Sequence, residues 1–181
     1  MVFLHGLGQT PQSFSEQVRD LPRDLQAAAP WLRGMRPGSA HTFSVRDSAA
    51  EVSSAITMHS ADRAYLVGIS LGALVALQAG LDDDRVAGLV VCGAQVSPPK
   101  WAVKAQGLAI RLASRRRLAA RGLNKDGLLE VVRGLSETDV SDRLEEIGVP
   151  TMVLCGSTDR ANQPAARMIA QRVPGARLEI V

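Results

Sequence analysis

Short aliphatic runs alternate along this chain with segments in which apolar residues recur every three or four positions. Such runs are typical of buried strands, and the spaced segments are typical of helices that cover a sheet. Strands are predicted at 1–4, 25–29, 64–67, 86–92, 151–155 and 177–181, and helices at 12–21, 47–59, 71–79 and 165–171, with Asp47 or Ser48 as the N-cap of the second helix. The pattern predicts an α/β fold of three layers, with a mostly parallel sheet of about six strands.

A mostly helical segment, 98–147, interrupts this alternation. The chain of 181 residues fits one domain of about 100–200 residues, so the segment is interpreted as a helical insertion into a single domain, 1–181. At about 100° per residue, four basic side chains of the segment fall within about 60° of arc and predict one basic amphipathic helix. They are Lys100, Lys104, Arg111 and Arg115. This face is either a solvated outer surface or part of a lid that attracts an anionic substrate or a lipid surface.

Composition excludes several classes of protein. No apolar stretch reaches the ~20 residues of a membrane span, and the N-terminus lacks a basic secretory leader, which favours the cytoplasm. Cys92 and Cys155 lie far apart, so reduced thiols are expected rather than a disulfide or a zinc site. Aromatic residues make up 3% of the chain, too few for a nucleic-acid surface of stacked rings. The three histidines share no ligand spacing, and we expect neither a metal nor a cofactor.

One motif carries candidate chemistry, the G-x-S-x-G pattern at 68–72. It follows the predicted strand at 64–67 and opens the predicted helix at 71–79. Ser70 is therefore expected on a tight, strained turn with its hydroxyl projecting above the sheet. Glycine is needed at positions 68 and 72, because the strand and helix backbones pass too closely there to leave room for a Cβ.

Two other segments are predicted to reach the same edge of the sheet. The H-G-L-G segment at 5–8 follows the first strand and can aim a backbone N–H at the atom that Ser70 would attack. The Leu71 N–H, at the start of the following helix, would be a second donor to a developing oxyanion. Asp159 comes shortly after the strand at 151–155, so its carboxylate is expected at the carboxyl edge, where ligands of open parallel sheets bind.

These segments resemble the α/β-hydrolase superfamily, in its branch of small bacterial esterases, enol-lactonases and cofactor-free haloperoxidases. The matching motifs are H-G-L-G at 5–8, A-P-W-L-R-G at 29–34, V-G-I-S-L-G at 67–72, R-V-A-G-L-V-V-C-G-A at 85–94 and V-P-T-M-V-L-C-G-S-T-D at 149–159. The resemblance covers essentially the whole chain in the family's order. It implies that Ser70 is the nucleophile and that Asp159 orients a histidine. It also implies that the Leu7 and Leu71 amides form the oxyanion hole and that 98–147 is the cap.

Two departures from the family pattern bear on activity. The family has two strands before the one that leads into H-G, and its histidine follows the last strand, where this sequence stops at Val181. We therefore expect a form truncated before the catalytic histidine and inactive by itself. His59 is predicted at the opposite edge, about 15 Å from Ser70, and His5 is expected to shape the oxyanion loop. His41, in the loop after the second predicted strand, is the one histidine that could approach.

The leading hypothesis is a serine hydrolase that acts on a small carboxylic ester or lactone. One alternative is a non-catalytic, hydrolase-like binding protein, and another is a perhydrolase or acyltransferase of the same fold. No nucleic-acid partner is expected. Apolar strand surface around Val153 and Ile180 is expected to lie uncovered, which predicts a marginal or self-associating chain and a possible homo-oligomer.

Overall fold

The computed structural model describes residues 1–38 and 42–181, which contain a parallel sheet of five strands. The strands lie side by side in chain order, and each neighbouring pair is parallel. They are β1 (Val2–Leu4), β2 (Ala64–Ile69), β3 (Val86–Cys92), β4 (Thr151–Cys155) and β5 (Arg177–Ile180). The predicted α/β fold with a parallel sheet is confirmed.

Seven α-helices and two 3₁₀ turns surround the sheet in the described part of the chain. The helices are α1 (Ser15–Arg19), α2 (Val45–Met58), α3 (Leu71–Asp82), α4 (Lys100–Leu112), α5 (Arg115–Ala120), α6 (Lys125–Leu135) and α7 (Gln163–Arg172). The 3₁₀ turns are Pro11–Phe14 and Ser141–Glu146. None of these helices is both long and apolar enough to cross a membrane.

The strand predicted at 25–29 does not form, and the sheet has five strands where about six were expected. Only Ala28 bridges to β1: its carbonyl accepts from the Phe3 N–H at 2.8 Å and its N–H donates to the Met1 carbonyl at 2.9 Å. Three consecutive alanines have little strand propensity, and Pro30 removes the next backbone donor. The segment therefore covers the β1 edge without extending the sheet.

Two predicted details of the helices are wrong. Helix α2 begins at Val45, because the Ser44 hydroxyl, rather than Asp47 or Ser48, caps it by accepting from the Asp47 N–H at 3.2 Å. Arg115 does not share the α4 face with the other basic residues. The chain is extended at Ala113 and Ser114, so Arg115 begins a separate helix and pairs with Asp126 on α6.

The two faces of the sheet are covered unequally. On one face, strand residues such as Leu66, Val91 and Val153 are buried together with α3, whose residues 71–79 are all buried. Val153 was predicted to lie uncovered, but it is buried. Ile180 is 43% exposed, as expected. On the other face, Phe14 packs on Phe3 of β1 with ring centroids 5.1 Å apart.

Farther from β1, this second face is partly exposed to solvent. We call its apolar members the open face: Tyr65, Val67, Val90, Met152 and Leu154. Strand register places Val67, Val90 and Met152 in one row across β2, β3 and β4. Tyr65 and Met152 are exposed, and the other three are partly buried.

Candidate active site

Ser70 occupies the sharp corner between β2 and α3. Its backbone has φ 53° and ψ −108°, and Ser60 is the only other non-glycine residue with positive φ in the described ranges. The corner is held by the Ser70 N–H, which donates to the Cys92 carbonyl at 2.8 Å, and by the Ser70 carbonyl, which accepts from the Leu74 N–H at 3.1 Å. Such a conformation costs about 1–3 kcal/mol and persists only where the surroundings enforce it. The residue is exposed, so its hydroxyl is accessible.

The glycines on either side of Ser70 allow this corner to be tight, as predicted. A Cβ on Gly68 would collide with backbone atoms of Gly72 and Ala73 in α3. A Cβ on Gly72 would collide with the Leu4 carbonyl at the end of β1 and approach the His5 carbonyl. The start of α3 is thereby packed directly against the end of β1 and the loop that follows it.

Leu7 and Leu71, whose backbone amides were predicted to form an oxyanion hole, lie shortly after the ends of β1 and β2. The Leu71 N–H belongs to the first turn of α3, where amides lack intrahelical acceptors and the helix dipole favours negative charge. Leu7 lies in a turn closed by the Gln9 N–H, which donates to the Gly6 carbonyl at 3.1 Å. The Gln9 side chain accepts from the Gly6 N–H at 2.8 Å and so fixes the same turn. Leu7, Ser70 and Leu71 line one cavity of about 470 Å³.

Asp159 lies at the same carboxyl edge, in the turn after β4. Strand register aligns Ile69, Cys92 and Leu154 in one row, so Ser70, Gly93 and the turn after β4 all follow the same level of the sheet. Gly93 lies beside Asp159, since a Cβ built on it would be 3.9 Å from Asp159 Oδ2. Asp159 is half-buried.

Asn162 and Gln95 form a polar chain that holds Asp159, and neither residue was predicted from the sequence. Asn162 donates to Asp159 twice, from Nδ2 to Oδ2 at 2.7 Å and from its backbone N–H to Oδ1 at 3.3 Å. Gln95 Nε2 donates to Asn162 Oδ1 at 2.8 Å. The Asp-x-x-Asn spacing could have indicated the first contact, but no local signal indicates the second, which joins residues 67 positions apart.

Cys92, at the end of β3, is another potentially nucleophilic side chain near Asp159. Burial and, to a smaller extent, the negative charge of Asp159 raise the pKa of its thiol above the ordinary value. The reactive thiolate is therefore disfavoured at neutral pH. Among these side chains, Ser70 remains the candidate nucleophile.

Neither described histidine is placed to take a proton from Ser70. His5 is fully buried; its Nε2 accepts from the Leu32 N–H at 3.2 Å, and its Nδ1 therefore carries the proton and donates to the Gly6 carbonyl at 3.1 Å. Burial lowers the pKa of His5, and the Gly6 hydrogen bond opposes this shift. His59 ends α2 and lies with Met1 and Ala64, at the amino ends of β1 and β2, as predicted. His41 lies outside the described residues.

The helical segment between β3 and β4 also lines the cavity that contains Ser70. It contributes the Pro98–Pro99 entry and the first turns of α4, including Trp101 and Val103, and α6 contributes Leu135. Gln95, Gln106 and Asn162 are the polar side chains of the wall besides Ser70. Among the described residues that line it, none is charged. The arrangement can hold a small, largely apolar molecule with a carbonyl group near Ser70.

A parallel α/β sheet with a positive-φ serine at a glycine-flanked strand–helix corner defines the class of the α/β hydrolases. The model of the alpha/beta hydrolase family matches residues 1–181, and the chain belongs to that family. No protein with curated annotation matches the sequence.

Solved structures confirm the fold at low sequence identity. The enol-lactonase from Burkholderia xenovorans LB400 is 19% identical, with a TM-score of 0.87 over 99% of this chain and 81% of its own. An esterase from Thermogutta terrifontis, solved with malate bound, is 19% identical, with a TM-score of 0.83 over 99% of this chain and 79% of its own. The bromoperoxidase from Bacillus anthracis is 16% identical, with a TM-score of 0.81 over 99% of this chain and 82% of its own.

Proposed function

We propose that this hydrolase cleaves a carboxylic ester or lactone through Ser70. The observation that carries the proposal is the strained, exposed serine in a cavity that Leu7 and Leu71 also line. The uncharged, mostly apolar wall supports a small neutral ester or lactone as substrate. The names of the similar enol-lactonase and esterase agree with this substrate class.

The proposed reaction begins when Ser70 Oγ attacks the carbonyl carbon and a base takes the hydroxyl proton. The Leu7 and Leu71 amides stabilise the negative oxygen of the tetrahedral intermediate, which collapses to an acyl-serine as the alcohol leaves. Water then cleaves the acyl-serine. Asp159, held by Asn162, would orient the imidazole that moves the proton. Transfer of the acyl group to peroxide or to another alcohol would give the perhydrolase or acyltransferase alternative.

The positions of His5 and His59 favour a second candidate, a non-catalytic binding protein. Without a positioned base, a serine hydroxyl retains only its weak intrinsic nucleophilicity, and loss of a triad member leaves a rate enhancement of about 10³–10⁴ over water. We therefore propose that the 181-residue chain alone hydrolyses p-nitrophenyl acetate negligibly. Added imidazole can supply a base and so distinguishes the two candidates.

The experiment measures p-nitrophenol release from p-nitrophenyl acetate against imidazole concentration, with peptide mass spectrometry of acetylated residues. The chain is compared with Ser70→Ala and with Ser60→Ala, a matched control because Ser60 is also exposed and has φ 49° but lies outside the cavity. After the rate of imidazole without protein is subtracted, we expect a further imidazole-dependent rate, and acetylation at residue 70, in the chain and in Ser60→Ala, and neither in Ser70→Ala. Equal rates in all three proteins at every imidazole concentration would contradict the nucleophile and favour the binding protein. A large Ser70-dependent rate without imidazole would show that a base is already present.

A further inference from the structure

The outer side of cap helix α4 carries an exposed stripe of large apolar residues. Trp101, Leu108 and Leu112 are 75%, 56% and 79% exposed. At about 100° per residue their positions fall within about 40° of arc, so they form one continuous strip, which we call the apolar stripe. The buried Val103 lies on the opposite side of the helix, towards the cap interior. Packing within the domain therefore does not account for the stripe.

A row of cations runs along one border of the apolar stripe. Lys100, Lys104 and Arg111 are exposed and occupy an adjacent arc of about 40°, and we call them the basic border. From 97 to 125 the sequence has eight basic residues and no acidic one. Of these eight, only Arg115 takes part in an ion pair within the described ranges. Glu130 on α6 shares a groove with the basic border and is the one acidic residue lining it.

The combination of stripe and border favours one kind of partner. A nucleic acid would neutralise the cations but leave the apolar stripe in water. A second copy bound through the stripe would bring two basic borders together, which costs repulsion. An anionic bilayer satisfies both features, because the stripe can enter the interface while the cations meet lipid phosphates. Tryptophan is itself enriched at membrane interfaces.

We propose that α4 binds parallel to the surface of an anionic phospholipid membrane, with the apolar stripe inserted and the basic border on the headgroups. This proposal does not depend on the reaction at Ser70. Trp101 belongs both to the stripe and to the wall of the cavity above Ser70. Binding in this orientation would place that cavity next to the membrane surface.

The test uses vesicles of phosphatidylcholine alone and of phosphatidylcholine mixed with phosphatidylglycerol. Co-sedimentation measures the bound fraction, and tryptophan emission reports insertion. We expect binding to the mixed vesicles at least tenfold tighter than to the neutral ones, weakened by salt, with a blue shift of emission. Trp101→Phe should still bind but lose the blue shift. Equal binding to neutral and anionic vesicles, or no binding to either, would overturn the proposal.

Two sets of variants separate the apolar and electrostatic contributions. Leu108→Ser with Leu112→Ser, and separately Lys100→Gln with Lys104→Gln and Arg111→Gln, should each weaken binding at least tenfold. Matched controls are Met58→Ser, an exposed apolar residue on α2, and the triple change Arg23→Gln, Arg46→Gln and Arg63→Gln, all exposed residues outside the cap. Both controls should bind as the unaltered chain does, and circular dichroism checks the fold of every variant.

Three results would assign α4 to another role or to none. Tighter binding to a DNA duplex than to mixed vesicles, unaffected by the leucine changes, would indicate a nucleic-acid surface. A dimer that the leucine changes dissociate would indicate a second copy as the partner. Equal weakening by the control triple change would mean that net charge, rather than α4, is responsible. Each of these outcomes overturns membrane binding through α4.

Discussion

His5 and Ser70 lie close to the same edge of the sheet but have opposite environments. Ser70 is exposed on a strained corner, whereas His5 is fully buried and both of its ring nitrogens are hydrogen-bonded to the backbone. The strained serine could be predicted because its flanking glycines mark the corner in the sequence. The tautomer and partners of His5 could not, because the Leu32 N–H that it accepts from lies 27 positions away.

The buried imidazole predicts a pH dependence of stability. Burial lowers the pKa of His5 in the folded chain, while in the unfolded chain it is about 6.5. Above about pH 6.5 the residue is neutral in both states and has no effect. As the pH falls below that value, the unfolded chain takes up a proton that the folded chain resists, so the free energy of unfolding falls by up to about 1.4 kcal/mol per pH unit. The loss continues until the pH reaches the folded pKa.

Urea unfolding of the unaltered chain and of His5→Gln, between about pH 7.5 and about pH 5, measures this effect, because the free energy of unfolding should begin to fall near pH 6.5. We expect His5→Gln to be less stable than the unaltered chain at neutral pH. Because glutamine does not titrate, the free energy of unfolding of this variant should fall less steeply as the pH decreases. His59→Gln removes an exposed histidine and is the matched control for histidine loss elsewhere. The same slope for His5→Gln as for the unaltered chain would contradict the prediction.

At the scale of elements, prediction succeeded where the signal was local and continuous. The bounds of β3 and β4 were predicted correctly, because uninterrupted aliphatic runs leave little choice of register. The strand at 25–29 and the continuation of the basic helix to Arg115 were wrong, because both depend on how a marginal segment meets the rest of the fold. The hydroxyl of Ser44 was an available cap signal, since it lies three residues before an acidic side chain.

The contact between α3 and β1 gives a prediction for Gly72. In most helix interiors, replacing glycine by alanine stabilises the helix by about 1 kcal/mol. At Gly72 the added methyl group would collide with the Leu4 carbonyl, and a backbone atom cannot rotate away as a side chain can. We expect Gly72→Ala to lower the free energy of unfolding by at least about 2 kcal/mol, within the usual range for overpacking.

Gly107→Ala is the matched control for this change. Its added Cβ would lie 3.4 Å from Val132 Cγ1, an ordinary contact inside helix α4. Urea unfolding should show Gly107→Ala to be unchanged or up to about 1 kcal/mol more stable. A Gly72→Ala variant as stable as Gly107→Ala would mean that the start of α3 is not packed against β1 as described.

At the scale of the whole molecule, the sheet is the least evenly protected part. The face that contains Leu66 and Val91 is buried, whereas the other face is covered near β1 by Phe14, which packs on Phe3, and carries the open face farther from β1. The sequence indicated that strand surface would be uncovered around Val153 and Ile180; Ile180 is exposed as expected, but Val153 faces the buried side. Residues alternate between the two faces of a strand, so an error of one position exchanges the buried and exposed sides.

The open face predicts reversible self-association of the chain. Monomeric proteins seldom expose contiguous apolar patches larger than a few hundred Å², and the row of Val67, Val90 and Met152 crosses three strands. Sedimentation velocity over a range of concentrations should show a rising average mass for the unaltered chain. Tyr65→Lys with Met152→Lys should remain monomeric, because two charges on this face oppose its burial against a second copy.

Two comparisons locate the association on the sheet rather than elsewhere. Leu25→Lys with Met58→Lys adds the same charge at exposed apolar residues away from the open face, and it should associate as the unaltered chain does. Leu108→Ser with Leu112→Ser removes most of the apolar stripe of α4 and should also leave association intact, because the basic border there repels a second copy. A monomeric Leu108→Ser, Leu112→Ser variant, together with a Tyr65→Lys, Met152→Lys variant that still associates, would mean that α4 rather than the sheet governs self-association. The partly uncovered sheet would then be stable in water without a partner.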